Sequence, residues 1–195
     1  MLEYGEGQTP LDEEEKEGLR ISTITTKGEL GEFEQLNIQK GLEWSLKRKW
    51  TAEKLFTEGF VRQLHKEMYG EVRKWAGKFR LTNKNIGVDR SIIGVELKKL
   101  LDEALYWVAN KTYVPDEIAI RFKHRIVSIH CFPNGNGRHS RLIADIIIET
   151  IGKQPPFSWG NSKLIKADLL RKGYITALRK ADQGNISELI KFARS

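Results

Sequence analysis

Apolar residues recur at helical spacing through most of this chain. Over residues 29–49, Leu30, Phe33, Leu36, Leu42, Trp44 and Leu46 predict a long amphipathic helix, and Val61, Leu64 and Met68 predict another that starts at Thr51 or Thr57 and ends near Tyr69. Helical patterns return over 95–109 and 115–129. Leu142, Ile143, Ile146, Ile147 and Ile151 then mark a buried helix closed by Gly152, and two more fit 163–180 and 186–193. Between 75 and 88 the helical period is lost. Turn residues Asn83, Asn85 and Gly87 interrupt Phe79, Leu81, Ile86 and Val88, which predicts an irregular hairpin. At the N-terminus, Thr9-Pro10-Leu11-Asp12 opens like a capped helix, continued by Glu13–Glu17 and ended by Gly18. The expected fold is mainly α, with a small β-hairpin.

Composition narrows the class. The 195 residues suit one domain, and 33 Lys+Arg against 26 Asp+Glu give a net charge of +7. One cysteine excludes an internal disulfide framework and a cysteine-cluster zinc site. The longest aliphatic run, Ile146–Ile148, is far short of the roughly 20 residues that cross a bilayer, and the acidic N-terminus has no apolar signal core. The expected setting is soluble and cytoplasmic, with no membrane. The positive charges, including those over 121–125, are spread along helical patterns and read as solvated faces, which argues against nucleic acid as a partner.

Candidate chemistry sits in one stretch. Residues 130–141 read His-Cys-Phe-Pro-Asn-Gly-Asn-Gly-Arg-His-Ser-Arg, a loop between two predicted helices. Gly135 and Gly137 leave backbone N–H groups uncovered beside a helix N-terminus, where free amides and the macrodipole both favour an anion. Arg138 and Arg141, spaced i, i+3, reach from one face toward the same anion, and two forked guanidiniums suit a polyphosphate. His130 stands at the loop entry as a candidate general base for a hydroxyl nucleophile. Phe132 is expected to plug into the core and pin the loop.

These residues resemble the signature of the Fic/Doc (Fido) family, H-x-F-x-[D/E]-G-N-G-R-x-x-R, with Asn134 at the acidic position. Residues 75–80 are similar to the start of that family's target-docking flap, and 174–185 to its closing helices. The likeness covers roughly 29–192, and the Pro-Asn-Gly-Asn-Gly-Arg-His-Ser-Arg version resembles the subgroup called mobile mystery protein B. It implies a Fic-type helical bundle over 29–195 with a hairpin flap beside the active-site loop, preceded by an acidic helix and connector over 1–28.

The resemblance further implies a protein adenylyltransferase that moves AMP from ATP to a Ser, Thr or Tyr hydroxyl of a target protein. His130 would be the base. The amides of Gly135 to Gly137, with Asn136, would hold the α- and β-phosphates, and Arg138 and Arg141 the β- and γ-phosphates. Gly137 stands where the family's phosphotransferase branch has lysine, which favours adenylylation. The family's acid binds Mg²⁺ (or Mn²⁺); Asn134 offers a neutral, weaker oxygen. The alternative is therefore a nucleotide-binding regulatory module with little turnover. Cys131, in place of the family's proline, reads as a small buried residue. Glu17-Gly18 resembles the end of the family's inhibitory motif, so Glu17 is expected to pair with Arg141 at rest; a separate antitoxin-like partner is the other route to restraint. Flap residues Lys84, Asn85, Ile86 and Gly87 would offer backbone to an extended target segment.

Overall fold

The computed structural model describes residues 18–160 and 167–195, with side chains from 172 onward in the second stretch. The expected helix over residues 9–18 and the Glu17 pairing lie outside the described residues. Eight α-helices are described: α1 (Lys27–Leu46), α2 (Ala52–Leu55), α3 (Glu58–Tyr69), α4 (Ile93–Ala109), α5 (Pro115–Ile129), α6 (Asn136–Ile147), α7 (Ala167–Asp182) and α8 (Ser187–Arg194). A π-turn, Ile148–Gly152, extends α6. No described helix is long and apolar enough to cross a membrane.

Local chemistry accounts for the helix starts. Thr26 and Glu29 form a reciprocal capping box on α1, the Thr57 hydroxyl accepts from the Phe60 N–H on α3, and Pro115 opens α5 where its missing N–H costs nothing. The core is assembled from α3, α4, α5 and α6, with Leu64, Met68, Leu97, Leu100, Phe122, Phe132 and Ile147 fully buried. Helices α5 and α6 pack along each other across the loop that joins them, so the C-terminus of one and the N-terminus of the other share one end of the bundle. A smaller cluster of Leu19, Ile24, Leu30 and Val72 ties residues 18–30 to the turn after α3, helped by a bridge between Leu19 and Arg73.

Helix α1 reverses the expected burial. It turns Leu30, Glu34, Asn37, Gly41 and Ser45 inward, while Phe33, Leu36, Leu42 and Leu46 remain exposed. Close approach is the reason. A Cβ at Gly41 would lie 2.9 Å from Met68, and Asn37 bridges the end of α3 by donating to the Glu67 carbonyl (2.8 Å) and accepting from the Glu71 N–H (2.9 Å). The helix docks through small and polar side chains with specific partners rather than through an apolar stripe.

The expected β-hairpin is not formed. Residues 78–89 make an irregular loop with no strand pairing, because the Arg80 guanidinium occupies the inside of the turn. It donates to the carbonyls of Thr82 (2.9 Å) and Val88, two acceptors a ladder would otherwise use, and to that of His130 (2.7 Å). The loop is anchored at each end by Arg80 N–H to the Cys131 carbonyl (2.9 Å) and Val88 N–H to the Ile129 carbonyl (3.3 Å).

Candidate active site

The loop between α5 and α6 is held by side chains that come from elsewhere. Phe132 is fully buried and stacks on His65 of α3 at 3.7 Å between ring centroids. His65 in turn accepts the Gly77 N–H at Nδ1 (3.0 Å) and donates from Nε2 to the Asn134 carbonyl (3.1 Å). Those two bonds require the neutral ring, and burial together with the neighbouring His139 holds its pKa well below the ordinary imidazole value. His65 thus fastens the active loop to the turn after α3. His139 faces away from the helix terminus, buried, with Nε2 on the Val61 carbonyl at 2.9 Å.

Asn136 clamps the same loop: its Oδ1 accepts the Phe132 N–H (3.0 Å) and its Nδ2 donates to the Phe132 carbonyl (2.8 Å). What it can offer an anion is therefore its backbone N–H. Gly135 caps α6 at φ +78, with its own N–H taken by the Asn134 Oδ1 at 2.6 Å. The amides left without an intrahelical carbonyl are those of Asn136, Gly137 and Arg138, one position later than the glycine count suggests. A Cβ at Gly135 would sit 2.6 Å from the Tyr69 ring.

His130 caps α5 in the left-handed conformation (φ 57, ψ 59), which turns its side chain out of the helix line. Its carbonyl is fixed by Arg80, and Gly87 of the flap loop lies so near that a Cβ there would meet the His130 Cβ at 2.6 Å. His130 Nδ1 is buried without a hydrogen-bond partner. Burial and then the Arg80 charge lower its pKa from the usual 6.5; the Val127 carbonyl pulls the other way but lies outside hydrogen-bond geometry. The ring is consequently neutral at neutral pH, the form a general base requires.

Arg138 is held by Glu34 of α1 at 2.9 Å and lies 5.3 Å from the Tyr69 ring. Arg141 lies 5.9 Å from the Tyr174 ring and has no carboxylate partner among the described residues. The structure therefore brings His130, the free amides and both arginines to one end of the α5–α6 pair. Flap residues Lys84, Asn85, Ile86 and Gly87 are exposed and make no backbone–backbone hydrogen bond, leaving their main chain open beside His130. Cys131 is buried, and burial pushes its thiol up to about 12, so it stays protonated.

The donor set does not fit a divalent cation held by the protein. Among the described residues no three His, Cys, Asp or Glu side chains gather as a metal site, and Asn134 spends its one oxygen on the Gly135 amide.

Residues 55–148 match the family model described as Fic/DOC. The match spans just under half of the chain. The fold agrees. BepC, a translocated effector protein of Bartonella tribocorum solved with AMPPNP, superposes with a TM-score of 0.69 at 16% identity over 97% of this chain and 93% of its own. The N-terminal Fic domain of a Bartonella quintana effector solved with ADP gives 0.67 at 17% identity, over 88% of this chain and 86% of its own. Residues 134–508 of Fic-1 of C. elegans give 0.65 at 21% identity over 83% of this chain, which spans about half (48%) of that solved chain.

Three contributors to this site were not legible from the signature. Glu34 carries no local signal beyond a buried helix position. Arg80, at the start of the flap, and His65, on a helix, give no sign of their roles along the chain, because those roles depend on which loops fold over them.

Proposed function

We propose that this Fic domain is a protein adenylyltransferase. The observation that carries the reading is the juxtaposition of a neutral histidine, its Nδ1 buried and its ring beside an open loop, with free helix-terminal amides and two arginines. A triphosphate laid on the amides of Asn136, Gly137 and Arg138 would meet Arg138 first and Arg141 one turn further on. His130 would take the proton from a Ser, Thr or Tyr hydroxyl of the target as that oxygen forms its bond to the α-phosphorus and the bond to the departing pyrophosphate breaks. The target segment would lie along the unpaired backbone of Lys84 to Gly87, which delivers its hydroxyl to His130. ATP is the co-substrate, arriving with the magnesium that accompanies it in solution. The Bartonella effectors of this fold that were solved with AMPPNP and ADP support a nucleotide as the ligand. The Pro-Asn-Gly-Asn-Gly-Arg-His-Ser-Arg version of the loop resembles the mobile mystery protein B subgroup, and that resemblance is the ground for reading a toxin-like role under an antitoxin-like partner.

The regulatory alternative rests on Asn134, whose oxygen is engaged within the loop. Intact mass separates the two readings. Wild-type protein incubated with ATP, magnesium and a target-rich lysate should yield AMP adducts, and His130→Ala should yield none. Tight ATP binding without adducts would favour the regulatory module, and a phosphate adduct would mean phosphotransfer instead.

A further inference from the structure

The face of α3 turned away from the core borders a cleft of about 540 Å³, whose other wall is the turn over residues 70–78. Five cations line it, Arg20, Arg62, Lys66, Lys74 and Lys78, with one carboxylate, Glu58. Glu58 is spent on Arg62, which it meets at 3.0 Å. Arg20, Lys66, Lys74 and Lys78 have no carboxylate partner among the described residues. Like charges gathered in one concavity repel, and an anionic occupant would relieve that repulsion.

Specific contacts hold the cleft in shape. Arg62 Nε donates to the Gly77 carbonyl at 3.0 Å and keeps the turn against α3. Gly77, at φ +74, permits the approach: a Cβ there would lie 2.9 Å from the Arg62 carbonyl oxygen and 3.0 Å from the Lys66 Cβ. The bridge between Leu19 and Arg73 buries those two side chains and leaves their neighbours Arg20 and Lys74 exposed at the cleft, as alternation along extended chain requires.

The donors select the ligand. Backbone N–H groups along the turn are already used: Gly70 on the Lys66 carbonyl, Lys74 on Gly18, Gly77 on His65 Nδ1 and Lys78 on Trp75. A compact phosphate, best held where amides converge, finds no such nest here. No aromatic side chain lines the cleft, so nucleic-acid bases would have nothing to stack on. What remains is a set of cationic side chains spread along its length. Arg62 and Lys66 are one turn apart, about 6 Å along the helix axis. Side chains on one side of an extended peptide repeat at a similar spacing, about 6–7 Å. We propose that this cleft docks an extended acidic segment of another protein, with carboxylates at alternate positions meeting these cations. The docking goes beyond the adenylyl-transfer reading and needs no nucleotide.

Fluorescence anisotropy of a labelled octaglutamate peptide with the full-length protein, without nucleotide, tests it. Wild type should bind, and more weakly as salt rises. Lys74→Ala combined with Lys78→Ala should weaken binding about fivefold, the size of two exposed charge contacts. Lys66→Gln should act in the same direction. Lys47→Ala combined with Lys49→Ala removes as much charge from exposed positions outside the cleft and should leave the affinity unchanged. No binding by wild type overturns the proposal. So does equal loss in the two double variants, which would mean attraction to net charge alone. Tighter binding of an oligothymidylate of equal charge would make the ligand a nucleic acid and also overturns it. Binding that emerges only when Glu13, Glu14 and Glu15 are all replaced by glutamine in the full chain would make the occupant this chain's own acidic stretch, against the proposal. ATP affinity of the Lys74, Lys78 variant should equal that of wild type, so each of these failures leaves the His130 site untouched.

Discussion

Glu34 of α1 and Arg138 of α6 are joined at 2.9 Å across 104 positions of sequence. The same buried carboxylate accepts Arg73 Nε at 2.9 Å on its other oxygen. One acid on α1 thus holds a signature arginine from outside the matched domain and fixes where that guanidinium stands.

The pair predicts an order of stabilities. Glu34→Ala leaves two guanidiniums without this partner and should lower the unfolding free energy by about 3 kcal/mol. Arg138→Ala should cost distinctly less, since Arg73 keeps Glu34 and the Arg138 side chain is already 38% exposed. Urea denaturation of the two variants checks the order. Equal costs would show that Glu34 is not the shared anchor.

The two glycines of the loop should behave differently. Gly135→Ala would place a Cβ 2.6 Å from the Tyr69 ring at φ +78 and should destabilise by about 2 kcal/mol or more. Nothing lies within 4 Å of a Cβ at Gly137, in the first turn of α6, so Gly137→Ala should leave thermal stability unchanged or slightly raised. A melting curve for each is sufficient.

Acid should destabilise the fold through its histidines. His65, His130 and His139 have lowered pKa values, His139 to about 3, so the unfolded chain binds more protons than the folded one below the free-imidazole value of 6.5. Their contribution is full above 6.5 and is lost as pH falls below it. Asp145, raised by burial to about 6, and Glu149, also raised by burial, act the opposite way over the lower part of that range, as two groups against three. Unfolding free energy at pH 5 should therefore lie about 2 kcal/mol below its value at pH 7. Urea midpoints at the two pH values measure it, and a midpoint that rose on acidification would refute the assignment.

Asn134→Asp should be tolerated by the fold, because a carboxylate oxygen can keep the Gly135 N–H bond while adding a charged ligand for magnesium. The variant should turn over faster than wild type at limiting magnesium. Unchanged magnesium dependence would mean that position 134 has no part in handling the ion.

Much of this architecture was legible along the chain, for reasons particular residues show. Pro115 and the apolar spacing of α5 placed that helix at its observed limits, and the α5–α6 loop was recognisable because its chemistry is local. Helix α1 was misread in its facing. Its inward face uses Glu34, Asn37 and Gly41, and no hydropathy pattern marks a polar side chain that will find a buried partner. The flap was expected as a hairpin because its alternation is that of one; Arg80 instead wraps the chain around its own guanidinium. Lys123 read as part of a solvated basic face, yet it is wholly buried beneath Tyr174. Each miss involves a polar residue whose partner is distant in sequence.

The central claim is that His130 and the amides and arginines of α6 act as one site that transfers AMP. Its most direct test follows ATP labelled on the α-phosphate into acid-insoluble protein, comparing wild type, His130→Ala and Arg138→Ala. The account predicts incorporation by wild type and loss in both variants, with ATP binding retained in His130→Ala and weakened in Arg138→Ala. Incorporation by His130→Ala at the wild-type rate, or incorporation only when the γ-phosphate carries the label, would contradict it.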